Sequence, residues 1–378
     1  MITGVDRLKG TRDVMLSLEP GETECYKALE AQLCPLLPLS ATDPITVHQC
    51  MLILSHARWL YGSELSDAGV LNPVVWSDRL LWLSELDLSL ARLVEGHLNA
   101  LQLCLRLGSP SLREFIRESL AYEQMILGVW GADSTDPVSL CSTGLSGVKN
   151  YTSGLGVVTH ALVTADIAGR TQLCLVDARD SDRHDLSSWN MRGMCATRSG
   201  SFNTTGLEAT EFKHVGNADD FGQEPGLVTG VWRIAALQLG ASFGLLDATR
   251  QQLQRAGRAD ASSQIERMLP PMYQALAARS LVKQAAMVAE RGTEDHDVEA
   301  MVALSLCARL LTEDLGQLVI ASVERSMGLS FFSNDSRPGH QAADLATYMR
   351  QVARDAFAQR AGTVLMRYPH RLARFIDG

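Results

Sequence analysis

The sequence predicts an α+β fold in three successive zones: helical, then β-rich, then helical. Two observations carry this. Apolar residues recur at three- and four-residue steps in the first and last zones. Between them Gly, Ser and Thr become dense, and short β-prone runs bounded by turn signals replace the helical period. The changes of character fall so that residues 1–127 form an N-terminal helical domain, 128–224 a middle β domain and 225–378 a C-terminal helical bundle.

In the first zone Leu83, Leu86, Leu90, Leu93, Val94 and Leu98 mark one buried face of a helix from Leu80 to Gly108. Gly108-Ser109-Pro110 ends it, and Ser111 caps the next helix, which runs to about Leu127. In the second zone His160 to Ala165 and Thr171 to Asp177 flank Ala168-Gly169-Arg170 and read as a hairpin; Glu208 to Val215 is a further strand. A zone of this size suits a small sheet or barrel. In the third zone Val228 to Ala256 is apolar almost all round and should be central. Its Gly240-x-x-x-Gly244 lets another backbone approach closely, as in bundle packing. Ser262 to Glu290 and Glu294 to Met327 are two more long helices, the second with a seam of Leu304, Cys307, Leu311, Leu315 and Leu318. A polar loop, Ser333 to Gly339, precedes a last helix from Gln341 to about Arg360.

Composition narrows the function. The 378 residues are 46% hydrophobic and 20% charged, which excludes a largely disordered chain. Lys and Arg number 34 against 43 Asp and Glu, a net charge of −9. Such a chain lacks the electrostatic footprint of a nucleic-acid binder, although a local basic pocket for a phosphorylated ligand is compatible with it. No apolar run reaches the ~18–20 residues of a membrane helix; Val231 to Leu246 is interrupted by Arg233, Gln238 and Ser242. The first residues, MITGVDRLKGTRDV, contain no apolar signal region. Eight scattered Cys without a C-x-x-C read as reduced core thiols. The expected compartment is the cytoplasm.

Several familiar signatures are missing: there is no phosphate-binding G-x-x-x-x-G-K-[ST], no H-E-x-x-H and no G-x-S-x-G. Gly154-Leu155-Gly156 opens like a dinucleotide loop, but the third Gly is absent and a strand follows. Asp182-Arg183-His184-Asp185 and Glu294-Asp295-His296-Asp297 mix acids with His, yet neither places two His at ligand spacing, so no metal is expected.

What stands out is an ordered succession. Leu88 to His97 lies on a helix. Gly128-Val129-Trp130-Gly131-Ala132-Asp133 follows, then Gly147-Val148-Lys149-Asn150-Tyr151-Thr152-Ser153-Gly154. Gly193 to Gly200 comes next, and Trp232 to Gly240 opens the C-terminal bundle. Over roughly residues 80 to 351 this succession resembles the acyl-CoA dehydrogenase superfamily. In that family a helical domain, a β domain and a four-helix domain enclose FAD.

The resemblance implies roles residue by residue. The family's Gly-x-Lys-x-Trp-x-Thr block matches Gly147, Lys149, Tyr151 and Ser153. Tyr151 would pack on the flavin ring and the Ser153 hydroxyl would reach a flavin nitrogen; Ser replaces Thr with the same donor and acceptor capacity. Without that context the two read as a core Tyr and a turn Ser of a hairpin. The family's flavin-gripping loop falls on Val129 to Pro137, which keeps none of its side-chain pattern and places Trp130 as a ring neighbour or a strand-edge core residue. The second FAD contact falls on Arg255, Arg258 and Gln264, without the family's Phe-Gly and with a shorter Arg-to-Gln spacing; a guanidinium there would sit beside a pyrophosphate of the neighbouring subunit, or else is an exposed Arg favoured by the dipole at a helix C-terminus. That contact implies a homodimer or homotetramer.

The catalytic base is where the chain departs from the pattern. Dehydrogenation of an acyl thioester needs a carboxylate to take the α-proton. The family's Glu after Arg-Asp is absent: Asp344 follows Ala343, and the next carboxylate is Asp355. The alternative Glu position before the bundle-opening Arg is Trp232. Asp355 is then a displaced base or a solvated charge. Flavin monooxygenases of the same superfamily place a His on the helix matching Leu88 to His97, so His97 is a second catalytic candidate beside its reading as a satisfied core His. The expected activity is an FAD-dependent oxidoreduction of the CH–CH group of an acyl thioester such as an acyl-CoA. The alternatives are a flavin monooxygenase and a non-catalytic flavoprotein of the same fold.

Overall fold

The computed structural model describes residues 20–40, 42–61, 69, 71–122, 125–224, 228, 230–290, 297–350 and 353–375. Its N-terminal part contains α1 (Pro20–Leu33), α2 (Pro44–His56), α3 (Pro73–Leu86), α4 (Leu88–Leu107) and α5 (Pro110–Tyr122). The single helix expected from Leu80 to Gly108 is two helices, because Asp87 turns extended (φ −158°, ψ 116°) and caps the second. Its carboxylate accepts from Leu90 N at 2.9 Å and from Leu39 N at 3.1 Å. Asp is favoured at such a cap, where it satisfies orphan N–H groups. The apolar seam carries through the break, with Leu83, Leu90, Leu93, Val94 and Leu98 all buried. The next cap is Ser109, whose hydroxyl accepts from Leu112 N at 3.2 Å, and not the expected Ser111. Helix α5 stops at Tyr122, and Leu127 already belongs to a strand.

The middle part holds two sheets. In the larger, β1 (Leu127–Trp130), β2 (Ser139–Cys141), β3 (Gly144–Ser146), β5 (His160–Ile167), β6 (Arg170–Asp177), β9 (Leu207–Glu208) and β10 (Phe212–Val215) run in the order β10-β6-β5-β2-β3-β9, with β1 parallel to β5. In the smaller, β8 (Ser201–Asn203) lies between β4 (Val148–Lys149) and β7 (His184–Asp185). The expected hairpin is β5–β6, paired from His160↔Asp177 to Ile167↔Arg170. Ala168 and Gly169 both have positive φ (54° and 79°), the two-residue turn whose twist matches the strands. The strand expected from Glu208 to Val215 is split into β9 and β10.

The C-terminal part contains α6 (Trp232–Arg255), α7 (Ser262–Ala289), α8 (Val298–Met327), α9 (Arg337–Tyr348) and α10 (Arg354–Arg367). The starts expected for α6 and α8 are each later by four residues; residues 291–296, including Glu294 to His296, lie outside the described residues. The last long helix is instead two, with α9 ending at Tyr348 and Ala353 (φ 72°) leading into α10. Helix α6 is central as expected, buried from Trp232 through Leu246 on most of its circumference. Its Gly240 and Gly244 meet α3 backbone: a Cβ at either would overlap the carbonyl oxygen of Leu81 or Glu85. One buried core, including Leu90, Trp130, Phe202, Trp232 and Leu315, joins all three parts. Charge ties them as well. The Arg233 guanidinium donates to Glu290 at 2.7 Å and to Gln102 at 2.5 Å, and Arg106 donates to the same carboxylate at 3.0 Å. Glu290 is thereby compensated where its burial would otherwise be costly.

Candidate functional site

The chain between β4 and β5 is shaped by two anchors. Thr152 donates both its N–H and its hydroxyl to Gly200 O, each at 2.9 Å. Gly154 (φ 89°) donates its N–H to Thr197 O at 2.8 Å. Immediately before the first anchor Tyr151 is held at φ 56°, a conformation uncommon for an aromatic residue. Its ring is 58% exposed and meets the Trp189 ring edge-on at 6.1 Å.

Ser153 is half-buried, and its hydroxyl lies 3.1 Å from that of Ser199. Ser199 continues to Thr197 Oγ1 at 2.8 Å, and Thr197 donates to Met194 O at 2.6 Å. Met194 N–H then donates to Asp344 Oδ1 at 2.5 Å. A chain of polar contacts thus runs from the Tyr151 loop to α9. Trp130 supports it from below: its indole N–H donates to Ser153 O at 3.0 Å, while its ring is buried against Phe202. Lys149 is fully buried with its ammonium on Asp133 and on Thr164 Oγ1, the latter at 2.7 Å. Burial pulls its pKa down, against the opposing pull of Asp133.

On the other side of Ser153 and β1 lies Arg92 of α4, bonded to Glu95 at 2.5 Å. The crevice bounded by Arg92, Gly96, Trp130, Ser153 and Val158 encloses about 10 Å³. That is the space of one water at most.

His97 sits at the centre of α4, fully buried. Its Nδ1 accepts from Leu127 N at 3.0 Å, which leaves Nε2 to donate to Leu60 O at 2.9 Å. Burial depresses its pKa to about 4. Both ring nitrogens are spent on backbone, so the geometry is that of a neutral brace between α4, β1 and the segment after α2. Asp355 is exposed in the first turn of α10, where an acid suits the helix dipole. Arg255 and Arg258 are exposed at and just after the C-terminal end of α6. Gln264 turns inward and donates to Ser326 O at 3.2 Å, so these three do not present one common face.

Asp344 stands out where sequence reasoning gave it little weight. Burial, reinforced by the charge of Asp87, raises its pKa to about 6, against the Met194 N–H and His340. Its sequence signal was only its place after Ala343. Among the described residues no group of three or more His, Cys, Asp or Glu is placed to hold a metal, and no helix is long and apolar enough to cross a membrane.

With this geometry in hand, the architecture defines a class: the chain has the acyl-CoA dehydrogenase-like fold. No family model matches the chain, and no curated protein sequence pairs with it. Solved structures do. TdsC from Paenibacillus sp. A11-2, with FMN and indole, matches at TM-score 0.75 and 15% identity, over 95% of this chain and 100% of that one. KijD3 with FMN and a dTDP-linked amino-keto sugar matches at TM-score 0.74 and 15% identity, over 96% and 97%. The electron transferring flavoprotein of Acidaminococcus fermentans matches at TM-score 0.76 and 13% identity, over 93% and 100%.

Proposed function

We propose that this chain is a flavin-dependent oxidoreductase acting on a small molecule. The carrying observation is the pairing of an exposed, left-handed Tyr151 with the Ser153–Ser199–Thr197 hydroxyl series where the middle sheets meet the helices. Hydroxyls that both donate and accept, beside an open phenol ring, are a donor set suited to a flat heteroaromatic ring with mixed nitrogen and carbonyl edges. Fold neighbours that carry FMN support the same reading. The flavin, FAD or FMN, would supply hydride or electron transfer. Ser153 and Ser199 would hold its polar edge and Tyr151 would cover its face, which requires the crevice at Ser153, about 10 Å³ as it stands, to open for the ring. Arg255 and Arg258 remain available to a phosphate group from a second subunit.

Of the finer readings, oxygen-using flavin chemistry fits better than dehydrogenation of an acyl thioester. The latter needs a carboxylate at the substrate. Asp355 is exposed on another helix, and Asp344 reaches the Ser153 loop only through Met194, Thr197 and Ser199. What supports the acyl-CoA reading is the burial of Asp344, which raises its pKa to about 6, a range suited to proton transfer near neutrality. A homo-oligomer belongs to the same proposal, because Ile265, Leu269, Tyr273 and Leu276 form an exposed apolar stripe along α7.

Purified protein titrated with FMN and with FAD tests the reading. Saturable binding with quenched flavin fluorescence is expected. Mixing the reduced complex with oxygen should then give a transient hydroperoxide absorbance. Anaerobic bleaching by an acyl-CoA, without that transient, selects the dehydrogenase reading; failure to retain either flavin removes both.

A further inference from the structure

A cavity of about 1,010 Å³ opens between the segment at Pro38–Ser40, the junction of α3 and α4, and the stretch from Phe331 to Asp344. It is walled in part by the stretch from Arg192 to Ala196, and Asp344 is the one group it shares with the flavin reading. Its volume is at the upper end of what small-molecule sites occupy.

Its walls are of two kinds. Leu39, Leu86, Leu88, Phe331 and Phe332 supply apolar surface. Phe331 is buried and stacks edge-on with Phe332 at 5.1 Å, leaving the Phe332 ring 64% exposed. The polar walls carry charge of both signs, but that charge is unequally available. Asp87 spends both carboxylate oxygens on the N–H groups of Leu39 and Leu90. Asp344 has one oxygen on Met194 N–H, and Asp335 is exposed. His340 has its Nε2 on Asn334 O at 2.6 Å. Arg192 and Arg337, by contrast, are exposed and make no hydrogen bond among the described residues, although the Arg337 charge acts on the buried Asp87 carboxylate. Arg192 comes from the stretch between β7 and β8 and Arg337 from the start of α9, so two forked donors line one space from distant parts of the chain. Guanidinium forks match carboxylate and phosphate oxygens in shape as well as charge.

We propose that this cavity binds an amphipathic anion, with Arg192 and Arg337 taking a carboxylate or phosphate head and the Phe331–Phe332 and Leu39–Leu86–Leu88 walls taking an apolar body. The proposal does not rest on the flavin reading, and its test uses the protein without flavin.

Hexyl phosphate, hexanoate, hexylamine and hexanol share one tail and differ in head. Isothermal titration of the full chain should show saturable binding of the two anions and at least about tenfold weaker binding of the amine and the alcohol. Tighter hexyl phosphate assigns a phosphate ester, and tighter hexanoate assigns a fatty acid. R192A and R337A change exposed residues, and each variant's thermal unfolding is compared with the parent's; each should weaken the anions by about tenfold, and F332A should weaken all four tails alike. Equal binding of amine and anion, binding untouched in the double Arg variant, or no anion binding in the millimolar range overturns the proposal.

Discussion

The hydroxyls of Ser153 and Ser199 lie 3.1 Å apart, and through Thr197 and the Met194 peptide they are linked to the Asp344 carboxylate. Ser199 keeps its contact with Thr197 whether or not Ser153 is present. Ser153→Ala should therefore leave the melting temperature within a degree or two of the parent. It should weaken flavin binding by roughly five- to tenfold, the worth of about one hydrogen bond. Fluorescence titration checks this, and an unchanged flavin affinity would assign the hydroxyl to loop architecture alone.

His97 makes a pH prediction of known sign. Its folded pKa, about 4, lies below the ordinary value of 6.5. The unfolded chain therefore takes up its proton first as pH falls. The stability contributed by neutral His97 is complete above pH ~6.5 and is lost progressively towards pH ~4, by roughly 3 kcal/mol. Urea unfolding across that range should show the slope. His97→Gln keeps an acceptor for Leu127 and a donor for Leu60 without titrating, so it should flatten the slope at a cost of about 1–2 kcal/mol at neutral pH. A slope identical to the parent would mean that His97 is solvated and free to act on a ligand.

Asp344 behaves oppositely. Its folded pKa, about 6, is raised above the ordinary 3.8. Stability from the neutral carboxyl is complete below pH ~4 and is lost as pH rises through ~6, by about 1–2 kcal/mol after allowance for its partial exposure. Asp344→Asn retains an oxygen for Met194 N–H and removes the charge. It should raise stability at pH 7 and leave it unchanged near pH 4, as read by thermal unfolding. A loss at pH 7 would show that the ionised carboxylate is what the fold requires.

The apolar stripe on α7 steps by four, four and three residues, which keeps Ile265, Leu269, Tyr273 and Leu276 on one face. Such a contiguous exposed face is the mark of an association surface. Sedimentation of the parent should give a dimer or tetramer, and the double change Leu269→Glu, Tyr273→Glu should give a folded monomer. A monomeric parent removes the oligomer from the proposal.

Gly240 and Gly244 show how far a local pattern reaches. Their spacing foretold close backbone approach, and α3 occupies that approach. Gly240→Val should cost about 2–4 kcal/mol, since the Leu81 carbonyl leaves a side chain nowhere to go. Denaturant midpoints check it, and a change below about 0.5 kcal/mol would mean that α3 and α6 separate easily.

The three-zone order, the β5–β6 hairpin and the buried path of α6 were legible in the sequence because each depends on periodicity and turn chemistry within a few residues. Breaks inside helical patterns were not, because they were decided by a distant partner. Asp87 ends a run that its apolar seam would continue, since its carboxylate is claimed by Leu39 as well as Leu90. Tyr151 and Ser153 were legible as a motif. That His97 is bound at both nitrogens, that Gln264 faces inward, and that Arg192 and Arg337 line one cavity were settled only by packing. Local pattern fixes which face of an element is apolar; which polar group ends up beside which is set by chain segments far apart in sequence, and it is those pairings that carry chemistry.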